Sequence, residues 1–298
     1  MPRFEIIIPM RSNSRPFASF ARFASRIVDA RPRATILSFA SRSSLARLAR
    51  LASLSILAAA CHTTPVTTPS LATPLDNSRQ LVVVTTPDWN ATSGSLWRFD
   101  RTGDGWHLLD GPTPIVVGRT GLAWGRGFER ASANPNDPIK HEGDGKSPAG
   151  IFPLDTAFGF GPVSELPNLE LPYVQLQPTT DCVDDTASVH YNTVVDRGAV
   201  PAVDWSSAEH MRRIDQYRIG VIVGYNADPP VRGRGSCIFL HIWAGPASTT
   251  AGCTALDAGK LRETMLWLDR AKRPMLVQLT SADYARLREP WRLPELHP

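Results

Sequence analysis

The sequence predicts a mainly β domain over residues 81–298, a sandwich or barrel-like body with a few helices. Three observations carry this expectation. Short β-branched and aromatic runs recur at close spacing along that stretch. A Gly103-Asp104-Gly105 turn separates two of them, as in a hairpin. Only two segments bear helix-start signals. A chain of 298 residues that is 42% apolar can bury a core of this size, which excludes disorder throughout.

The first element in chain order lies outside that body. The formal charge of +4 invites a nucleic-acid reading, but the charge is unevenly spread. Residues 1–50 hold ten Arg against only Glu5 and Asp29, so the remainder is acidic by four charges. A phosphate-binding face therefore has no support in the body, and no nucleic-acid partner is expected. Leu51 to Ala60 runs without a charge, behind Arg47 and Arg50 and ahead of Cys61. A positive region, a short apolar region and small residues before a cut site make an export signal over 1–61. The run is too short to span a bilayer, which takes roughly 20 apolar residues. Ala59-Ala60-Cys61 resembles a bacterial lipobox, which implies lipidation of Cys61 and a periplasmic protein anchored to the outer membrane. Cleavage near Ala60 to a soluble exported form is the alternative, and a helix unrelated to export is the third. Thr and Pro then interleave over 62–80, which reads as an extended tether.

The strands follow. Leu81–Thr86 is β-branched, Ser95–Asp100 alternates apolar and polar, and Trp106–Leu109 lies beyond the Gly-Asp-Gly turn. Ile115–Val117, Tyr173–Leu176, Arg218–Val223, Cys237–Trp243 and Met275–Leu279 continue the pattern. Ser206-Ser207-Ala208-Glu209 has capping-box spacing and predicts a helix through Met211 and Ile214. Asp257 predicts the cap of a second helix carrying Leu261, Met265, Leu266 and Leu268.

Of the four Cys, Cys253 has the most suggestive surroundings. It follows Thr250-Ala251-Gly252 and lies twelve residues after His241, on the strand-like Cys237–Trp243 segment. A Cys at the start of a helix gains thiolate character from the helix dipole and free N–H groups. His241 can take the thiol proton or hold a thiolate–imidazolium pair, and backbone N–H groups near Gly252 can form an oxyanion hole. The plainer alternative is a buried apolar Cys and a core His.

His241 with Thr250-x-Gly252-Cys253 resembles the signature of the L,D-transpeptidases, the YkuD-like catalytic domain family. Lys146-Ser-Pro-Ala-Gly150-Ile-Phe152 is similar to that family's upstream Pro-x-Gly-x-Phe segment. Arg273-Pro-Met-Leu-Val-Gln-Leu resembles its last strand. Gly121–Gly125, Cys182–Asp185 and Cys237–Trp243 are similar to a divergent branch. The blocks span roughly 120–280. Ile242 stands where the family has Gly, Thr250 where it has Ser, and Thr254-Ala255 where it has a hydrophobic-Arg pair. The resemblance implies a cysteine acyltransferase acting on peptidoglycan stem peptides, with no metal or organic cofactor. Cys253 would be the nucleophile, His241 its base, and Gly252 with Cys253 the oxyanion site. Water as acceptor, or a wall-binding lipoprotein without turnover, are the alternatives.

Several further residues are weighed beside that core. Thr250 keeps a hydroxyl, and Trp243 lies close enough to His241 to line a pocket. Lys146, Arg232 or Arg234 can take over a substrate carboxylate from the family's missing Arg. Tyr191 and Asn192 read as substrate-positioning residues or as a hydrogen-bonded loop. Asp181, Asp184, Asp185 and His190 lack a recognised metal spacing and read as a solvated loop. With Cys61 and Cys253 so assigned, Cys182 and Cys237 remain as a disulfide pair or as two buried thiols.

Overall fold

The computed structural model describes residues 73–103, 105–126 and 132–296. The export segment, Cys61 and the first part of the tether lie outside these residues. In chain order the strands are β1 (Gln80–Thr86), β2 (Ser93–Thr102), β3 (Gly105–Val116), β4 (Leu122–Trp124), β5 (Ser147–Gly159), β6 (Tyr173–Gln175) and β7 (Thr180–Val183). They continue as β8 (Val194–Asp196), β9 (Ala208–His210), β10 (Ile219–Val223), β11 (Phe239–Ile242), β12 (Thr254–Leu256) and β13 (Met275–Thr280). The helices are α1 (Ala258–Trp267) and α2 (Ser281–Leu287).

Pairing runs β10-β11-β12-β3-β2-β1-β13-β5 and returns from β5 to β10, so eight strands close a barrel. The mainly β expectation holds. Every ring strand feeds one apolar cluster, through residues such as Val82, Leu96, Ile115, Phe152, Val221, Leu240, Leu256 and Leu276. A cluster supplied by all eight strands is the barrel interior. α1 adds Leu261 and Met265 to it, and Asp257 caps α1 by accepting from the Gly259 and Lys260 N–H groups. The opposite face of β1 and β13 packs under α2 through Leu81, Val83, Val277 and Tyr284. Both faces of β1 are thus covered, which is why it reads as a continuous apolar run.

β5 is the long strand that the sequence reading passed over. Pro148, Gly150 and Pro153 break the expected alternation. They fit because β5 changes partner midway. Its residues 150–153 pair with β13, and Leu154 to Gly159 pair with β10. Pro153 lies at that change, with its carbonyl accepting from Gly224 N–H.

A second, three-stranded sheet, β8-β7-β9, packs beside the barrel. Its Cys182 and Val194 join Phe158, Tyr217, Phe239, Cys237 and Cys253 in a third apolar cluster. Cys182 is bonded to Cys237, as expected, closing a sequence separation of 55. The bond ties β7 to the segment that leads into β11.

Two expectations are corrected. The helix expected from Ser206 does not form. Ala208–His210 is strand β9, followed by single 3-10 turns at Met211–Arg213 and Asp215–Tyr217. The supposed capping residues have other partners: Ser206 and Ser207 donate to Asp185 and Asp184, and Glu209 accepts from the Tyr217 hydroxyl. The tether also ends earlier than residue 80. Thr73 caps a 3-10 turn at Pro74–Asn77, Leu75 is buried in the core under α2, and Gln80 already belongs to β1.

Under the chain-entropy relation, opening a loop of this length costs about 4 kcal/mol. A Cys182→Ala, Cys237→Ala variant should lose stability of that order in urea unfolding. A loss below about 1 kcal/mol would show that the barrel alone holds the small sheet in place.

Candidate active site

β11 and β12 are parallel neighbours, with His241 beside Ala255. Cys253 immediately precedes β12. It is two residues from Ala255, so its side chain shares that residue's face of the sheet. The eleven residues 243–253 form the crossover between these parallel strands, and they carry Trp243, Thr250 and Gly252. The result is one cavity of about 420 Å³, lined by Cys253, His241, Gly252, Thr250 and Trp243 together with Glu209 and Tyr217.

The Cys253 backbone is tightly fixed. Its carbonyl accepts from Ser147 Oγ at 2.8 Å and from Thr250 Oγ1 at 2.6 Å. Ser147 opens β5, so the Lys146–Phe152 segment holds the Cys253 backbone rather than lining the cavity. Gly252 lies against the Lys146 carbonyl, where a Cβ would approach to 3.1 Å. Its N–H is directed to Thr250 Oγ1 at 3.1 Å. The expectation that Gly252 N–H faces an oxyanion is therefore corrected: the Thr250 hydroxyl already takes it.

The thiol is almost fully buried, with 5% of the residue exposed. It accepts from Phe239 N–H at 3.3 Å and donates to the Cys237 carbonyl at 3.4 Å. Helix-dipole activation does not apply, because Cys253 leads into a strand and α1 starts beyond Asp257. Burial, and then the Glu209 charge, push the thiol above its ordinary value. His241 is pulled down to about 4 by burial, opposed by its bond to Ile242 O. Its Nδ1 lies 2.8 Å from that carbonyl. A carbonyl only accepts, so Nδ1 carries the proton and Nε2 is the acceptor in the neutral ring. Among the described residues no hydrogen bond joins thiol to imidazole. The expected thiolate–imidazolium pair is absent, because burial disfavours both charged forms.

Three other expected site residues serve the scaffold. Asn192 donates to the Tyr225 and Asn226 carbonyls at 2.9 and 2.8 Å and accepts from Cys237 N–H at 2.9 Å. That uses its amide to hold the disulfide segment. Tyr191 donates to Glu142 Oε2 at 2.5 Å, and it is Glu142 that lines the cavity. Lys146 Nζ is turned away, to the Thr120 carbonyl. Arg232 donates to the Thr186 carbonyl at 2.5 Å, and neither it nor Arg234 lines the cavity. The lining cations are Arg119 and Lys140, and Lys140 is paired with Asp144 at 2.6 Å.

Compared with known proteins, the chain matches no family model, no curated protein and no solved structure.

Sequence reasoning missed Glu209 and Tyr217. Tyr217 comes from the 3-10 turn before β10, and its ring meets the His241 ring edge-on at 5.1 Å. Its hydroxyl donates to Glu209 Oε2 at 2.6 Å, and the residue shares a buried apolar cluster with Cys253. Glu209 is delivered by β9, directly opposite Cys182 of β7. It retains some surface towards the cavity but is otherwise deep in the protein. Burial, with Asp184 and Glu142 adding to it, raises its carboxyl to about 7, and the Tyr217 bond opposes the rise. No local pattern marks either residue, since their meeting depends on the disulfide and on pairing between β7 and β9.

The depressed His241 value fixes a pH effect. Its stabilising contribution is complete above the unfolded value of 6.5 and is lost as pH falls through about 4. A difference of that size corresponds to about 3 kcal/mol. His241→Gln should remove that part of the acid sensitivity, read as urea midpoints between pH 7 and pH 4. Parallel profiles for the two proteins would contradict a buried neutral imidazole.

Proposed function

We propose that the protein is an exported cysteine acyltransferase of the L,D-transpeptidase kind, acting on peptidoglycan stem peptides. The observation that carries this reading is the convergence of Cys253, His241, Thr250, Gly252 and Trp243 on one cavity. These are the residues of the family-like signature, and they meet across a parallel strand pair rather than by sequence proximity alone. A sulfur nucleophile, a neutral imidazole and an aromatic wall in one pocket suit acyl transfer.

The chemistry runs in two halves. The Cys253 sulfur attacks the carbonyl carbon of a stem-peptide bond, and its proton moves to His241 Nε2, which returns it to the departing amine. The tetrahedral intermediate collapses, an amine departs with a proton, and a thioester remains. A side-chain amine of a second stem then attacks the thioester. His241 Nε2 takes the proton of that amine and returns it to the departing sulfur. Backbone N–H donation at Cys253 would stabilise each oxyanion. The reading includes export to the periplasm with a lipid on Cys61, so that the body works at the wall from the outer membrane.

The test is acylation by a carbapenem, read by intact mass, followed by product analysis on purified muropeptides. The native chain should gain one adduct, localised to Cys253, and should form cross-linked dimers. Cys253→Ala should lose the adduct, and its turnover should fall by at least about 1000-fold. Products shortened by water without dimers would instead assign a carboxypeptidase or endopeptidase. A folded native chain with neither adduct nor product would assign a wall-binding protein without turnover.

A further inference from the structure

We infer that the outer face of the small sheet carries a second ligand site, which takes an uncharged sugar ring of the N-acetylhexosamine class. The site is built without Cys253 and does not depend on turnover there.

Strand alternation sets it apart from the Cys253 cavity. β7 and β9 pair with Cys182 opposite Glu209 and with Asp181 opposite His210. Cys182 packs in the apolar cluster with Cys253, and Glu209 lines the Cys253 cavity, so that face of the sheet looks towards the barrel. Asp181 and His210 therefore point the other way. On their face lies a cavity of about 340 Å³, whose lining includes Asp181, Arg197, Val203, Trp205, Ser207 and His210. The two cavities share no lining residue. The volume falls within the span of small-ligand pockets, roughly 300–1,000 Å³.

One buried carboxylate arranges the polar groups. Asp181, expected in a solvated loop, is instead fully buried. It accepts from His210 Nδ1 at 2.7 Å and from Trp205 Nε1 at 3.1 Å, and Arg197 Nη1 lies 3.4 Å from it. Three planar side chains, from β9, from the loop before it and from the end of β8, are held around one space. A carboxylate only accepts, so His210 Nδ1 carries a proton. His210 Nε2 has no hydrogen-bond partner among the described residues. Trp205 spends its one polar side-chain atom on Asp181, so it offers the cavity carbon and π surface. The His190 ring braces that indole edge-on at 5.5 Å. Ser206 and Ser207 donate their hydroxyls to Asp185 and Asp184, which leaves their oxygens as acceptors.

These groups define the ligand. Arg197 answers the Asp181 charge, and among the described residues no other Asp, Glu, Lys or Arg lines the cavity. A small ion therefore meets no uncompensated carboxylate or guanidinium there. The indole and Val203 call for a face of C–H groups, while His210 Nε2 and the serine oxygens call for hydroxyl and N–H groups at its edge. A pyranose ring has both. An acetamido substituent adds an N–H for a serine oxygen, a carbonyl for the Arg197 edge and a methyl for Val203 or Ala208. Taken with the proposed function, on which this one step rests, the ligand is the glycan strand that carries the stem peptides.

The experiment is isothermal titration of the full chain, disulfide intact, with tetra-N-acetylchitotetraose and with maltotetraose, which has hydroxyls but no acetamido group. The native chain should bind the first with a Kd of about 1 mM or tighter. Maltotetraose should bind at least about 5-fold more weakly. Trp205→Ala and His210→Ala should each weaken the acetamido sugar about 10-fold. Both remove a partner of Asp181, so Val203→Arg carries the test if neither folds. Val203 is exposed, and a long charged side chain there should close the cavity and abolish binding. Affinity unchanged in all three variants would place the sugar elsewhere and overturn the site. A folded native chain that binds neither sugar would overturn it as well, and equal binding of the two would overturn the acetamido assignment. Sugar binding retained where carbapenem acylation fails would remove the transpeptidase reading alone.

Discussion

The structure hinges on the change of partner along β5. One strand hydrogen-bonds to β13 with its first half and to β10 with its second, and this closes the ring. Without that switch the eight strands would be an open sheet with two unpaired edges, a form that proteins otherwise have to protect. The same strand begins at Ser147, whose hydroxyl holds the Cys253 carbonyl. Closure of the barrel and placement of the Cys253 backbone are therefore one construction. Gln278 of β13 reinforces it, donating to the Pro148 carbonyl at 2.8 Å and accepting from Thr254 Oγ1 at 2.6 Å.

The electrostatics of the pocket follow from burial. A thiol pushed up and an imidazole pulled down leave both neutral at rest. Glu209 brings a carboxyl to the same pocket from a different sheet. Such a site stores no reactive thiolate. Thr250 contributes by position: its hydroxyl bridges the Gly252 N–H and the Cys253 carbonyl and so fixes the turn that presents the sulfur.

What the sequence made legible were features whose cause is local. β1, the β2–β3 hairpin, β10, β11 and β13 follow from apolar runs and a glycine turn. The cap of α1 follows from Asp257. The Cys253–His241 encounter was legible too, because residue types and spacing carried it. β5 was hidden, since its prolines make sense only once its two partners are known. Residues 206–217 misled for a related reason. Their Ser and Glu side chains match a helix start, but Asp184, Asp185 and Tyr217 claim them first. Glu209 and Tyr217 entered the site through contacts between sheets, which no window of sequence contains. Asn192 and Tyr191 were found as polar residues worth noting, and they prove to hold the disulfide segment and Glu142.

The disulfide has one more consequence, for how such a site can diversify. It turns the chain between Cys182 and Cys237 into a closed loop whose two ends are anchored beside Cys253. That loop supplies Asp184, Glu209, Ile214, Gln216 and Ser236 to the cavity, while the barrel supplies Cys253 and His241. Lengthening a closed loop is inexpensive, about 0.6 kcal/mol for each doubling. Insertions between the anchors would reshape what the cavity admits while the sulfur and the imidazole stay where the barrel holds them. The cavity lining thus comes from two parts of the chain, and the loop's share can change while the barrel's share stays in place.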